Sequence, residues 1–114
     1  MNYEIKTYPH FDKELKKLSK KYPSMKADII KISQDLLLNP DLGVDLGNGV
    51  HKIRMAITSK GKGKSGGARI ISLIIDLDKV RKEIGLHFIY DKSERETIKD
   101  KELQQILRDN GILG

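Results

Sequence analysis

The segment HKIRMAITSKGKGKSGGARIISLIID, residues 51–76, joins two strand-like stretches through a run of lysines and glycines. His51 to Thr58 alternates as a half-buried strand does, and this alternation puts Lys52 and Arg54 together on one face. Ala68 to Asp76 is apolar on both faces, which is typical of a central strand. The glycine-rich residues between them predict a hairpin connection, so the segment predicts a pair of strands inside a sheet.

The residues before this segment predict one strand and two helices. Tyr3 to Tyr8 has period two and β-forming residues, which favours a strand. From His10 the apolar residues recur at helical spacing until Pro23 ends the pattern. A second helical pattern runs from Ser24 to Leu38 and ends at Asn39-Pro40. Two consecutive helices separated by one proline predict a helical hairpin.

The remaining residues complete an α+β pattern. Asp41 to Gly49 has three glycines and no period, and we interpret it as a loop. Asp78 to Glu83 is expected to be a charged turn, Leu86 to Asp91 a strand and Asp100 to Asp109 a C-terminal helix. The predicted order is β-α-α-β-β-β-α, with about four antiparallel strands. We find no internal repeat or linker, so residues 1–114 are predicted to form a single domain.

Positive charge is concentrated in the hairpin segment. The chain of 114 residues has 22 Lys and Arg, 16 Asp and Glu, and a net charge of +6. Six of the cations lie between His51 and Arg69 without any acidic residue, whereas 16 basic residues face 16 acidic ones in the rest of the chain. This uneven distribution favours an anionic partner. The alternative is a solvated turn whose lysines only protect a sheet edge.

The composition also limits the location of the protein. The chain has no cysteine, its N-terminus has no apolar signal core, and the aliphatic run Ile70 to Ile75 is too short to span a bilayer. We therefore expect a soluble protein without a membrane partner, for which a cytoplasmic location is allowed.

The sequence GKS at Gly63 to Ser65 also occurs in phosphate-binding loops, but the rest of that motif is missing. The motif needs a further glycine where Thr58 stands, and it needs a helix after the loop. The residues after Gly67 predict a strand instead. The pattern therefore argues against nucleotide hydrolysis.

Three segments in this order resemble the RelE/ParE superfamily of bacterial toxins, and within it the HigB-like branch. They are HKIRMA at residues 51–56, GKGKSGGARII at residues 61–71 and FIYDKSERE at residues 88–96, followed by the final helix. The resemblance implies a RelE-like fold with a helical hairpin packed on an antiparallel sheet. It also implies the toxin of a type II toxin–antitoxin system, acting as a ribosome-dependent mRNA endonuclease without a cofactor. The expected partners are the ribosome, mRNA and a cognate antitoxin, for which we expect a small helix-turn-helix protein.

By position, the catalytic residues of the family fall on four cations of this chain. They are Lys52, Arg54, Arg69 and Lys92. This sequence departs from the family pattern where Ser93 stands in place of a frequent arginine, and where Ile98 or Lys99 stands in place of a tyrosine. We also predict RNA contacts from a second set of residues: His51, Lys60, Lys62, Lys64 and Arg95.

Cations can supply most of what RNA cleavage requires without a metal. The 2′-hydroxyl attacks the adjacent phosphorus, and the reaction needs a base, charge neutralisation and an acid for the leaving 5′-oxygen. Arg54 and Arg69, as permanent charges, suit charge neutralisation, while Lys52 as base and Lys92 as acid are hypotheses. No histidine and carboxylate spacing in the sequence indicates a metal site.

Two other functions remain open at this point. The same fold is found in ParE-type gyrase inhibitors, which are not nucleases, and the chain could also be a non-catalytic nucleic-acid-binding module. ParE-like proteins generally lack a converging cationic pair on this strand, so the sequence KIR followed by the GKGKSGG loop favours the nuclease.

Overall fold

The computed structural model describes residues 2–112 and contains three α-helices and five β-strands. In chain order these are β1 Asn2–Thr7, α1 Pro9–Lys21, α2 Met25–Leu38, β2 Val44–Gly47, β3 Val50–Met55, β4 Ala68–Asp76, β5 Arg81–Asp91 and α3 Asp100–Asp109. A short 3₁₀ turn, Thr58–Lys60, follows β3. Met1 and residues 113–114 of the predicted domain lie outside the described residues. Within residues 2–112, none of the helices has the length and apolar character needed to cross a membrane.

The five strands form one sheet in the order β1-β5-β4-β3-β2. Neighbours from β2 to β5 are antiparallel, whereas β1 lies parallel to β5, with Asn2 opposite Arg81 and Thr7 opposite Leu86. The predicted α+β class with a RelE-like arrangement of elements is confirmed. The predicted number of strands is wrong by one, because Val44–Gly47 pairs with β3 and is not part of a loop.

The last strand begins earlier than the sequence predicts. Asp78 accepts hydrogen bonds from the backbone N–H groups of Val80 and Arg81 and binds the Arg81 side chain at 2.8 Å, which closes a short turn. The predicted turn at Asp78 to Glu83 is therefore wrong in its second half, which belongs to β5. Of the charged residues that suggested a turn, Arg81 is exposed at the start of β5, Lys82 is half-buried and Glu83 is already buried.

The sheet buries apolar residues on both faces. Helices α1 and α2 cover one face, and we call it the hairpin face; its core includes Phe11, Met25, Leu36, Ile53, Ile70 and Ile89. Helix α3 covers part of the opposite face, which we call the α3 face; its core includes Val50, Leu73, Phe88, Leu103 and Leu107. Each fully buried aliphatic side chain contributes about 1.5–3 kcal/mol. Both faces of β4 are therefore buried, as its continuous apolar sequence predicts.

Candidate functional site

The pairing of β3 with β4 brings the predicted cations together on the α3 face. Because Ile53 and Met55 point into the hairpin face, Lys52 and Arg54 point to the other side. Arg54 lies directly opposite Arg69, and Lys52 lies two residues further along the same face, opposite Ile71. The predicted convergence of these three cations on one face agrees with this register.

The two arginines of this pair have different environments. Arg54 is exposed and makes no side-chain hydrogen bond or ion pair within residues 2–112. Arg69 is only 6% exposed. Burial, together with the charge of Arg54, lowers the pKa of Arg69, but an arginine stays protonated at neutral pH. Arg54 therefore offers an unpaired charge at the surface, whereas Arg69 holds a fixed charge beneath it.

Arg69 also holds the loop between β3 and β4. Its guanidinium donates to the carbonyl oxygens of Lys64 at 3.0 Å, Ala68 at 3.2 Å and Ser65 at 3.2 Å. A guanidinium has five N–H groups, so these three bonds do not use all of its donors.

The lysine–glycine loop, Gly61 to Gly67, is fixed at its start by α2. The buried carboxylate of Asp28 accepts hydrogen bonds from the Thr58 backbone N–H at 3.0 Å and the Thr58 hydroxyl at 2.6 Å. The hydroxyl of Ser24, at the N-terminus of α2, accepts a hydrogen bond from the Ser59 N–H at 2.9 Å. These bonds attach the residues before the loop to the helical hairpin.

The end of the loop is fixed by a close backbone contact. The carbonyl oxygen of Gly67 accepts a hydrogen bond from the Lys92 N–H at 3.0 Å. A Cβ atom at Gly67 would lie 2.1 Å from the Met55 carbonyl oxygen, so only glycine fits there without a backbone shift. The loop therefore projects from two fixed ends.

The three lysines of the loop region do not share one environment. Lys60 is 9% exposed in its side chain; its Nζ lies 2.6 Å from Asp91 Oδ1 and donates to the Ser93 hydroxyl at 2.9 Å. Tyr22 also donates to Asp91, at 2.6 Å. Lys60 is therefore a buried, paired cation, and its predicted RNA contact does not fit this environment. Lys62 and Lys64 are exposed.

The Lys60 environment also changes the acidity of Asp91. Burial alone would raise the pKa of this carboxyl group, but hydrogen bonds from Lys60, Tyr22 and Ser93 outweigh burial and hold it well below its ordinary value. Asp91 is therefore charged in the folded protein at neutral pH.

Arg54, Lys52 and Lys64 line a groove of about 430 Å³ at the edge of the sheet. Strand β2 stops pairing opposite Lys52, so β3 is the edge strand beyond that point. The other wall of the groove is formed by α2, including Asp35 and Leu38. Three basic residues and the acidic Asp35 therefore line this groove, where the edge of the sheet meets α2.

The structure separates two further predicted residues from this group. His51 points into the hairpin face, opposite to Lys52, with its Nδ1 3.4 Å from the Gly49 carbonyl oxygen, and is buried. Its predicted RNA contact beside Lys52 does not fit this orientation. Lys92 donates to the Glu96 carbonyl oxygen at 2.6 Å and lies 3.8 Å from the Glu96 carboxylate. Its ammonium group is therefore directed to its own turn.

Arg95 lies on the same face as Arg69 and is joined there by a tyrosine that sequence reasoning did not select. The Arg95 guanidinium is 5.8 Å from the Phe88 ring and 5.6 Å from the Tyr90 ring, and it pairs with Glu102 of α3. Tyr90 lies directly opposite Arg69 in the β4–β5 pair. In the sequence, Tyr90 is typical of a core aromatic residue in an apolar strand. Strand alternation places it on the same face as Phe88, at the end of the strand just before the turn with Lys92 and Arg95, and this position is the only sequence signal for a role at the site.

A mostly antiparallel five-stranded sheet, with a helical hairpin on one face and an exposed group of cations on the other, defines a small basic α+β domain. A family comparison matches residues 10–111 of this chain to RelE, described as the RelE toxin of the RelE/RelB toxin–antitoxin system. The chain belongs to the RelE toxin family, as the sequence resemblance indicates, and is the toxin of a toxin–antitoxin system. Membership also implies a cognate antitoxin.

Proposed function

We propose that this toxin is a metal-independent endoribonuclease that cleaves mRNA on the ribosome. The observation that carries the proposal is the cross-strand pair of Arg54 and Arg69 with Lys52 beside it. Arg54 is exposed and has no acidic partner among the described residues, so its charge is available to a phosphate. Family membership adds support, because RelE family toxins are generally RNases.

In the proposed reaction, the 2′-oxygen of one nucleotide attacks the adjacent phosphorus and the bond from phosphorus to the 5′-oxygen breaks. The products are a 2′,3′-cyclic phosphate and a free 5′-hydroxyl. Arg54 and Arg69 neutralise the charge that develops on the phosphate oxygens. Lys52 takes the proton of the 2′-hydroxyl, and Lys92 gives a proton to the 5′-oxygen after leaving Glu96. The ribosome would fix the mRNA in the geometry for attack.

A translation assay and a supercoiling assay distinguish this proposal from its alternatives. Added to a translation extract, the purified toxin should yield truncated mRNA only when ribosomes are present, and it should leave DNA gyrase active. Inhibition of gyrase with intact mRNA would instead support the ParE-like alternative. Binding of RNA with neither effect would support a non-catalytic module.

We further propose that Lys62 and Lys64 hold the RNA backbone before cleavage. Lysines at an exposed loop are mobile point charges, and each contact to single-stranded RNA adds about 0.7 to the salt dependence of binding. Replacing both with alanine should weaken ribosome binding, reduce its salt dependence and leave the rate at saturation nearly unchanged. Binding titrations at several salt concentrations, with single-turnover cleavage, measure both quantities.

The matched control replaces Lys13 and Lys16, which are exposed on α1, with alanine and removes the same net charge. This control should bind ribosomes like the wild-type protein. If the loop variant instead binds normally but cleaves slowly at saturation, the loop lysines belong to the catalytic group and the backbone-holding role is wrong.

We also infer a HigB-like position within the superfamily, a cytoplasmic location and a small helix-turn-helix antitoxin. The segments FIYDKSERE and GKGKSGGARII support the first of these. Sequencing the neighbouring gene tests the last: a protein without a helix-turn-helix would contradict it.

A further inference from the structure

The hydroxyl group of Tyr90 is buried without a hydrogen-bond partner within residues 2–112. The residue as a whole is 5% exposed. Leaving a buried hydroxyl without a hydrogen bond is energetically unfavourable. Most buried polar groups in native proteins have a hydrogen-bond partner, so this exception needs an explanation. A bound ligand that accepts the missing hydrogen bond would explain it.

The surroundings of this hydroxyl determine what kind of ligand fits. Arg69 lies opposite Tyr90 in the sheet, Arg54 lies opposite Arg69, and Arg95 lies over the Tyr90 ring. Guanidinium groups donate hydrogen bonds and cannot accept them, so these neighbours cannot serve the tyrosine O–H. Burial raises the pKa of Tyr90 against the opposing effect of Arg69 and Arg95, so the phenol keeps its proton at neutral pH. The O–H group therefore lacks an acceptor. The two arginines next to Tyr90, with Arg54 on the strand beyond Arg69, favour an anionic one.

We propose that Tyr90 donates a hydrogen bond to a non-bridging oxygen of the scissile mRNA phosphate held by Arg54 and Arg69. This inference rests on the proposed function and adds a catalytic residue to it. A donor aimed at the oxygen whose charge grows during attack stabilises the transition state more than the bound substrate.

Arg95 controls access to the Tyr90 hydroxyl in this proposal. Arg69 is held by three loop carbonyls, whereas Arg95 is held by an ion pair with Glu102 in which both side chains are more than a third exposed. An exposed ion pair of this kind holds its partners only weakly. Of the two arginines next to Tyr90, Arg95 is therefore the one that moves more easily, and it exchanges Glu102 for the phosphate when RNA binds.

The test replaces Tyr90 with phenylalanine, which removes the hydroxyl and keeps the ring beside Phe88 and Arg95. The maximal rate of cleavage on the ribosome should fall about 10- to 100-fold. The thermal unfolding temperature should stay the same or rise, because an unpaired buried group is removed. A structural role of the hydroxyl would instead predict lower stability with unchanged cleavage.

The control is Tyr8→Phe. The Tyr8 hydroxyl donates to Glu83 at 2.5 Å, outside the proposed site. This variant should lose stability and cleave mRNA at the wild-type rate. A wild-type rate of cleavage by Tyr90→Phe at saturating ribosomes would overturn the proposal. A weaker affinity for ribosomes with an unchanged maximal rate would also overturn it, because the hydroxyl would then contact a phosphate that is not cleaved.

A binding measurement separates failure of this inference from failure of the proposed function. Ribosomes programmed with 2′-O-methyl mRNA present the phosphate but cannot be cleaved, because the attacking hydroxyl is blocked. Tyr90→Phe should bind them about 10-fold more weakly than the wild-type protein if the hydroxyl contacts phosphate. Equal binding, or no binding by the wild-type protein, would overturn the Tyr90 inference. Absence of wild-type cleavage with a Tyr90-dependent binding difference would overturn the nuclease proposal and reduce the Tyr90 inference to a contact with a bound phosphate.

Discussion

Arg54→Ala is expected to lower the maximal rate of mRNA cleavage on the ribosome by about 100-fold or more and to leave the fold unchanged. The large effect follows from the exposed, unpaired guanidinium of Arg54, which lies opposite Arg69 in the sheet and on the same face as Lys52. The small effect on folding follows because no described residue depends on Arg54 for a hydrogen bond, so the free energy of unfolding should change by about 0.5 kcal/mol or less.

Single-turnover cleavage and chemical denaturation measure the two effects of Arg54→Ala separately. Arg108→Ala is the matched control, because Arg108 is also an exposed arginine but lies in the last turn of α3. The control should cleave at the wild-type rate. Wild-type cleavage by Arg54→Ala would end the assignment of the active site to this face of the sheet.

Arg69 is less suited to this test than Arg54, although both belong to the proposed site. Removing the Arg69 side chain also removes three hydrogen bonds to loop carbonyls and leaves those acceptors near a buried position. A loss of activity in Arg69→Ala would therefore combine a displaced loop with a missing charge. Arg54→Ala removes a charge without displacing the loop, so its effect on cleavage reports the charge alone.

The strand pattern explains which site residues the sequence could predict. The alternation in residues 51–58 is enough to place Lys52 and Arg54 on one face, and the hairpin after it is enough to place Arg69 beside them. The same alternation gives His51 the phase of Ile53, so its position on the hairpin face was predictable from the strand. The predicted RNA contact of His51 relied instead on its position next to Lys52 in the sequence.

Other features depend on residues that are far apart in the chain. Lys60, Lys62 and Lys64 look alike in sequence, and only the approach of Asp91, 31 positions away, makes Lys60 a buried residue. The parallel pairing of β1 with β5 also has no local pattern, because it depends on the helical hairpin carrying the chain across the sheet. Strand β2 has only four residues and a glycine at its end, so it resembles a loop until β3 pairs with it.

The buried pair of Lys60 and Asp91 leads to the prediction with the largest effect on stability. Lys60→Met keeps an unbranched apolar chain of similar length but leaves the Asp91 carboxylate buried without its cation. Breaking a buried ion pair by removing one partner costs about 3–5 kcal/mol. For a domain of this size, such a loss lowers the thermal midpoint by about 15 °C or more. Lys62→Met, at an exposed position two residues further along, is the matched control and should change stability by about 0.5 kcal/mol or less.

The pH dependence of this loss identifies its cause. In the wild-type protein the Asp91 pKa lies below its unfolded value of about 3.9, so the unfolded chain binds more protons between the two values. The stability from this pair is therefore present above about pH 4 and is lost as the pH falls further. In Lys60→Met the carboxyl group keeps its burial and loses its cation, which raises its pKa and favours protonation. The stability difference between the two proteins should therefore narrow as the pH falls from 7 to 3 in denaturation experiments. A stability difference that stays constant over this range would show that lost packing, and not the buried charge, causes the loss. Wild-type stability of Lys60→Met at pH 7 would contradict the claim that the Lys60–Asp91 pair stabilises the fold.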